Sequence, residues 1–126
     1  MVTVAQKNIL VVEDNNDINR LFCRHLTSFG YDCTGVASVS AAIDHINGDA
    51  IPDLIVLDLE LGDAHGTRVL DHLAAAGIPQ PHVIIASANV HNSPIPLDHY
   101  GVTEILVKPV SPRQLVYTIK DVMPLD

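Results

Sequence analysis

The sequence contains few aromatic residues, and this shortage argues against one class of partner. Phenylalanine and tyrosine together make up 4% of the 126 residues, and tryptophan is absent. Proteins that bind single-stranded nucleic acid without sequence preference stack the bases on aromatic side chains. We therefore expect no stacking platform of that kind.

Basic residues are also scarce and nowhere clustered. Seven Lys and Arg stand against 15 Asp and Glu, which gives a formal net charge of −8. Proteins that bind nucleic acid or an anionic membrane surface usually carry a basic patch. The composition therefore predicts no direct nucleic-acid partner and no membrane association.

Long apolar runs are missing too. Every run is far shorter than the roughly 20 residues that a membrane-spanning helix needs, and the first residues, MVTVAQKN, lack a signal-peptide core. We expect a cytoplasmic protein.

The cysteines and histidines show no metal-binding pattern. Cys23 and Cys33 are ten positions apart, which is no usual ligand spacing, so both are predicted to be reduced core residues. The seven histidines form neither an HxH nor an HExxH motif and are predicted to be solvated or packed.

What the sequence does contain is a set of short apolar runs alternating with helical patterns. The length suits a single domain, residues 1–126, with no output domain attached. Helical spacing of apolar residues follows most of the runs, but Pro94 and Pro96 lie where a fourth crossover helix is expected. The alternation predicts an α/β fold with a doubly wound, five-stranded parallel sheet and an irregular or shortened fourth helix. The predicted strands are 9–12, 31–36, 54–57, 82–86 and 103–107.

Polar side chains directly follow four of the predicted strands. Glu13 and Asp14 follow the first strand, Asp58 follows the third, Ser87 follows the fourth, and Lys108 follows the fifth. The carboxyl ends of parallel strands meet at one edge of the sheet, where ligands bind in open α/β proteins. We therefore expect these side chains to converge.

Three converging carboxylates repel one another unless a cation is present. Mg²⁺ prefers oxygen ligands and suits such a cluster. A lysine and a hydroxyl beside this cluster could bind the oxygens of a phosphoryl group. A carboxylate could then attack the phosphorus in line with the leaving group. The predicted edge thus favours phosphoryl-transfer chemistry.

Four motifs, in order and spacing, resemble those of the response-regulator receiver domain of two-component signalling, over nearly the whole chain. They are ILVVEDN, DLIVLDLELGDAHG, VIIASA and LVKP. The resemblance implies the flavodoxin-like strand order 2-1-3-4-5. It also implies a signalling switch, not an enzyme with a separate substrate, in which Asp58 accepts a phosphoryl group from a sensor histidine kinase or a histidine phosphotransfer protein.

The resemblance also implies roles for the residues around Asp58. Mg²⁺ would be held by Asp14, Asp58, the backbone carbonyl of Glu60 and, through water, Glu13. The phosphoryl oxygens would be contacted by Ser87 and Lys108, and the peptide bond between Lys108 and Pro109 is expected to be cis.

The sequence departs from the family at the position three residues before the lysine. Similar domains usually carry Tyr or Phe there, whereas this chain has Ile105, so the usual aromatic switch is in doubt. Tyr100 is a candidate substitute. Glu60 and Asn89 lie at positions that influence the dephosphorylation rate in similar domains.

Two alternative functions remain open at this point. A receiver-like adaptor would bind partners without being phosphorylated, as Ile105 and the fourth-helix region allow. A Mg²⁺-dependent phosphatase would use Asp58 as its nucleophile, since LIVLDLE resembles the strand of that family. The sequence names neither the cognate kinase nor the downstream target. It also leaves open a homodimer, which in similar domains forms through the fourth helix, fifth strand and fifth helix.

Overall fold

Strands and helices alternate along the chain. The computed structural model describes residues 7–48, 50–90 and 97–125. In chain order the elements are β1 (Asn8–Val12), α1 (Asn16–Ser28), β2 (Asp32–Val36), α2 (Val39–Gly48), β3 (Leu54–Leu57), α3 (Thr67–Ala75), β4 (His82–Ser87), a short 3-10 helix (Leu97–Tyr100), β5 (Glu104–Val107) and α4 (Pro112–Val122).

The five strands form one parallel sheet in the order β2-β1-β3-β4-β5. This confirms the doubly wound fold and the strand order expected from the sequence. Because β1 pairs in parallel with the central strand β3, the carboxyl ends of the two strands adjoin, with Val12 paired to Leu57. The residues that follow these two strands are therefore neighbours.

Alternate residues of the central strands supply two separate core layers. Leu10 of β1 and Ile55 of β3 pack with α2 and α3, whereas Ile9 and Leu54 pack with α1 and α4. Both faces of the strands are therefore covered, which explains why the runs are apolar throughout and do not alternate with polar residues.

Helices α1 and α4 each begin at a side-chain cap. The side chain of Asn15 accepts hydrogen bonds from the backbone N–H groups of Asp17 and Ile18, both at 3.1 Å. Ser111 accepts one from Gln114 N–H at 3.0 Å, and Pro112 occupies the first turn of α4. Both caps satisfy donors that a helix start leaves free.

The apolar face of α1 is narrower than its spacing suggests. Phe22 and Leu26 are buried, but Leu21 and Phe29, which follow the same helical spacing, are 43% and 46% exposed. Phe29 instead lies under the ammonium group of Lys120 on α4, 4.7 Å from the ring centre. The two cysteines are free, and both are partly exposed where full burial was expected.

The segment between β4 and β5 contains, in its described part, the 3-10 helix Leu97–Tyr100. Pro94 and Pro96, the basis for expecting a shortened fourth helix, lie outside the described residues. No helix within 7–48, 50–90 and 97–125 has the length and apolar character needed to cross a bilayer.

Candidate phosphoryl and metal site

Glu13 and Asp58 are held side by side by the pairing of β1 with β3. The backbone N–H of Asp58 donates to the carbonyl of Val12 at 3.0 Å, one step beyond the pair of Val12 with Leu57. Both residues are buried, at 3% and 6% exposure. Two carboxylates removed from water at adjacent strand ends need a cationic partner.

Lys108 supplies that positive charge. Its Nζ donates to Oδ2 of Asp58 at 3.1 Å and also to Oε1 of Glu13. Lys108 is brought there by β5, because its backbone N–H continues the sheet by donating to the carbonyl of Ser87 at 3.0 Å. We call the group formed by Glu13, Asp14, Asp58 and Lys108 the acidic edge.

The acidic edge perturbs the proton affinities of its members. Burial raises the pKa of Glu13; hydrogen bonding from Lys108 opposes this rise and the neighbouring Asp58 adds to it. Burial on its own lowers the pKa of Lys108, but the hydrogen bonds to Glu13 and Asp58 outweigh it, so the pKa of the ammonium group is raised. Lys108 therefore stays charged at neutral pH.

Three carboxylates of the acidic edge could hold a metal ion. One oxygen from each of Glu13, Asp14 and Asp58 lies within 4.8 Å of the others, with Asp14 exposed to solvent. A set of hard oxygen donors, open to water on one side, fits Mg²⁺, which usually keeps several waters. The residues present therefore suit this ion.

The loop after β3 folds back over Asp58. The backbone N–H of Glu60 donates to Oδ1 of Asp58 at 3.2 Å, and the N–H of Gly66 donates to the carbonyl of Leu59 at 2.8 Å. A Cβ atom at Gly66 would lie 2.1 Å from the backbone oxygen of Asp58. Only glycine lets the loop approach this closely, which explains the spacing of Gly66 after Asp58 seen in the sequence.

Ser87 and Asn89 line the site from β4. Ser87 is fully buried, and its Oγ accepts a hydrogen bond from the N–H of Asn89 at 3.4 Å. The side chain of Asn89 donates to the carboxylate of Glu60 across the exposed mouth of the site. The Glu60 side chain thus bonds Asn89, and the expected metal contact of the Glu60 backbone carbonyl stays a prediction.

Of the two remaining expectations at the site, one is confirmed and the other stays a prediction. The peptide bond between Lys108 and Pro109 is cis, which confirms the expected geometry. Ile105 is 42% exposed on β5, whereas Tyr100 is half-buried against the core layer of α2 and α3. Tyr100 as a substitute for the missing aromatic stays a prediction.

Two supporting residues were not found from the sequence. Asn19 of α1 donates from Nδ2 to the carbonyls of Glu13 and Val36, both at 2.9 Å, and so fixes the chain entering the acidic edge. Asp63 accepts from the N–H groups of Val39 and Ser40, at 3.1 and 3.0 Å, and caps α2 from another loop. Nothing in the local sequence signals either contact, since each partner is distant along the chain.

Fold and site together define a class. A doubly wound parallel sheet with the order 2-1-3-4-5 is the flavodoxin-like architecture, whose ligands bind at the carboxyl edge where the acidic edge lies. The chain belongs to the response regulator receiver domain family, whose profile matches residues 9–120. Receiver domains of this family are signalling switches of two-component systems and typically bind Mg²⁺ at an acidic pocket.

Curated relatives agree with this assignment over most of the chain. The phosphate regulon transcriptional regulatory protein PhoB of Escherichia coli (strain K12) is 29% identical over 119 residues, which are 93% of this chain and 52% of PhoB. The swarming motility regulation protein RssB of Serratia marcescens is 30% identical over 115 residues, which are 91% of this chain and 52% of RssB. The chain therefore spans about half the length of these relatives.

Solved structures agree as well. The signal receiver domain of a LuxO repressor protein from Vibrio parahaemolyticus superposes with a TM-score of 0.79 at 32% identity, covering 91% of this chain and 88% of that one. The chemotaxis protein CheY4 of Vibrio cholerae superposes with a TM-score of 0.80 at 21% identity, covering 94% of this chain and 100% of that one, and supports the fold alone.

Proposed function

We propose that the chain is a phosphoacceptor receiver of a two-component phosphorelay, in which Asp58 takes a phosphoryl group from a phosphohistidine. The observation that carries the proposal is the contact of Lys108 with both Glu13 and Asp58 inside a cluster of three carboxylates. A partly buried lysine held on two acids supplies a fixed positive charge where phosphoryl oxygens would arrive.

The proposed transfer is an in-line displacement at phosphorus. A carboxylate oxygen of Asp58 forms the new P–O bond while the P–N bond to the donor imidazole breaks, and the imidazole leaves with the electron pair. Lys108, now 3.1 Å from Oδ2 of Asp58, is placed to move onto a phosphoryl oxygen. The hydroxyl of Ser87 would donate to another.

Magnesium completes this proposal. The carboxylates of Glu13, Asp14 and Asp58 and the backbone carbonyl of Glu60 are the proposed ligands, and the bound ion would supply further positive charge against the phosphoryl oxygens.

The wider role is also a proposal. The phosphoryl donor would be a sensor histidine kinase or a histidine phosphotransfer protein, and phosphorylation would change binding to a downstream protein or to a second copy of the chain. We propose that residues 1–126 act as one receiver domain in the cytoplasm. The domain would assist its own phosphorylation and dephosphorylation only.

The decisive experiment is intact-protein mass spectrometry with acetyl phosphate and Mg²⁺, followed over time with and without a chelator. We expect the gain of one phosphoryl group, base-labile and dependent on the metal, that maps to Asp58. The decay of this species after removal of acetyl phosphate would report the dephosphorylation rate.

Asp58→Asn is the matched variant, since it keeps the shape of the side chain and removes the nucleophile. We expect it to show no modification while its far-ultraviolet circular dichroism matches the parent. Modification of the variant at the parental rate would refute the site. No modification of the parent chain would instead favour the phosphorylation-independent adaptor, and steady turnover of a phosphate ester would favour the phosphatase.

A further inference from the structure

Two thiols lie in contact on the side of the sheet covered by α1 and α4. Sγ of Cys33, on β2, lies 2.9 Å from Sγ of Cys23, on α1. Both residues are partly exposed, and both pack against the core layer shared by α1 and α4. A disulfide bond is about 2.05 Å long, so the sulfurs need to approach by only about 0.9 Å to form one.

The backbone around the thiols is built for this close approach. Gly35 on β2 has no side chain, and a Cβ atom there would lie 3.2 Å from Sγ of Cys23 and 2.0 Å from Oδ1 of Asn19. Any larger residue at this position would force the side chain of Asn19 to move. The pair is therefore held together by packing between two elements that neighbouring hydrogen bonds already fix.

The two thiols are not equivalent. The S–H of Cys33 donates to the sulfur of Cys23, and this hydrogen bond lowers the pKa of Cys23 despite its partial burial. The same bond and burial raise the pKa of Cys33. A thiolate is the reactive form of cysteine. Cys23 is therefore the sulfur that attacks first, and Cys33 is the sulfur that reacts with it afterwards.

We propose that Cys23 and Cys33 form a reversible disulfide bond when the protein meets a hydroperoxide. The Cys23 thiolate attacks one peroxide oxygen, an S–O bond forms as the O–O bond breaks, and the leaving oxygen takes up a proton. The sulfur of Cys33 then attacks Cys23: the S–S bond forms, the S–O bond breaks, and hydroxide leaves as water with the Cys33 proton. The two thiols lose two electrons, and the hydroperoxide gains them.

The location of the pair gives such a bond a structural consequence. The Cys23 thiol contacts Oδ1 of Asn19 at 3.6 Å, and Asn19 in turn donates to the carbonyl of Glu13 at 2.9 Å. The disulfide would therefore fasten α1 to β2 two contacts away from the acidic edge. Cytosolic disulfides of this kind are usually transient and redox-sensing, which suits a reversible bond.

The test uses the reduced, folded chain treated with hydrogen peroxide and then with N-ethylmaleimide, followed by intact mass and peptide mapping. We expect the loss of two hydrogen atoms, no maleimide adduct, a linked peptide pair joining Cys23 to Cys33, and full recovery of both thiols with dithiothreitol. Since the bond restrains the unfolded chain, the oxidised protein should also unfold at a Tm several degrees higher.

The single variants assign the order of events. Cys33→Ser should accumulate a sulfenic acid at Cys23 that a dimedone probe captures, whereas Cys23→Ser should react much more slowly at Cys33. Neither variant should show the rise in Tm. Complete maleimide labelling of both thiols in the peroxide-treated parent chain, or a bond formed only between two molecules, would overturn the proposal without reference to either variant or to phosphorylation.

Discussion

The acidic edge and the flank of the sheet at β5 differ in how they are built. In the acidic edge, Glu13 and Asp58 are almost fully buried and share one lysine. On the β5 flank, which we define as Ile105 and Val107, two apolar side chains are 42% and 56% exposed. One region buries charge and the other exposes apolar surface, which are both unusual choices.

This difference suggests that the proposed phosphorylation and the transmission of its signal take place in separate regions of the domain. The acidic edge needs fixed charges at strand ends, so its residues are tied by backbone register and hydrogen bonds. The β5 flank carries Ile105 where similar domains usually have an aromatic residue. We infer that phosphorylation and the transmission of its signal depend on different residues of this domain, and four substitutions test that separation.

Lys108→Ala should have the largest effect. Losing a positioned cationic donor at a reacting phosphoryl group is expected to slow phosphorylation by acetyl phosphate about a hundredfold or more. Removal of the partner of two buried carboxylates should also lower the free energy of unfolding by about 2 kcal/mol, a value reduced for the 20% exposure of the lysine side chain. Phosphorylation rates from mass spectrometry and urea denaturation measure the two effects.

The control for that variant is Lys120→Ala. Lys120 lies on α4 over the ring of Phe29, and its loss removes the same charge as the loss of Lys108. Its phosphorylation rate should match the parent. Equal rates for Lys108→Ala and the parent would show that Lys108 serves stability only.

Glu60→Gln should have a smaller and opposite effect. Glu60 is an exposed carboxylate at the mouth of the site, and the glutamine oxygen can still accept from Asn89. Removing its negative charge should speed phosphorylation by an anionic donor about twofold to threefold, and added salt should erase the gain. Asp121→Asn, an exposed acid of α4, is the control; an equal gain there would point to net charge rather than to position.

Ile105→Tyr addresses the β5 flank directly. Because Ile105 is exposed, the substitution should change the free energy of unfolding by no more than about 0.5 kcal/mol. Phosphorylation of Asp58 should stay within about twofold of the parent, since the exposed side chain of Ile105 takes no part in the ion pairs of the acidic edge. A large drop in the rate would mean that the two regions are coupled.

Asp63→Asn should change stability and leave the phosphorylation rate unchanged, because Asp63 caps α2. The hydrogen bonds from Ser40 and Val39 lower the pKa of Asp63 below its ordinary value of 3.8. Its stabilising effect is therefore present above that value and is lost as the pH falls through the lowered pKa. Asparagine can accept only one of the two bonds, so Tm should fall by a few degrees at neutral pH.

The difference in Tm between Asp63→Asn and the parent should shrink as the pH falls through the lowered pKa of Asp63, because the parent then loses the same charge. Asp44→Asn, an exposed acid on α2, serves as the control and should leave Tm nearly unchanged. A constant difference across the pH range would show that the cap does not depend on the carboxylate charge.

Much of the fold was predictable because the signals are local. A run such as Leu54–Leu57, apolar on both faces, can only be a buried strand in so short a domain, and the structure gives it those bounds. Parallel pairing then brings Glu13 and Asp58 together, whatever the loops do. The motifs at the strand ends were therefore enough to predict both the strand order and the position of the acidic edge.

The details that escaped prediction depend on contacts between distant segments. Asp63 caps α2 from 23 and 24 positions away, and Asn19 donates to the carbonyl of Val36, 17 positions beyond it. Likewise, helical spacing identifies an apolar stripe on α1, but it does not show how much of that stripe a neighbouring element covers. The exposure of Phe29 therefore could not be predicted. Such contacts require the packed structure.

The position of β1 between β2 and β3 has a consequence for the order in which the protein folds. β1 ends at Val12, but its partner β3 begins only at Leu54. One edge of β1 therefore stays unpaired until this later segment has been synthesised. At roughly 5–20 residues per second, the ribosome takes about 2–8 s to make that stretch. During this interval β1 exposes unpaired backbone groups, and a nascent chain is open to association with other exposed strands until β3 closes the gap.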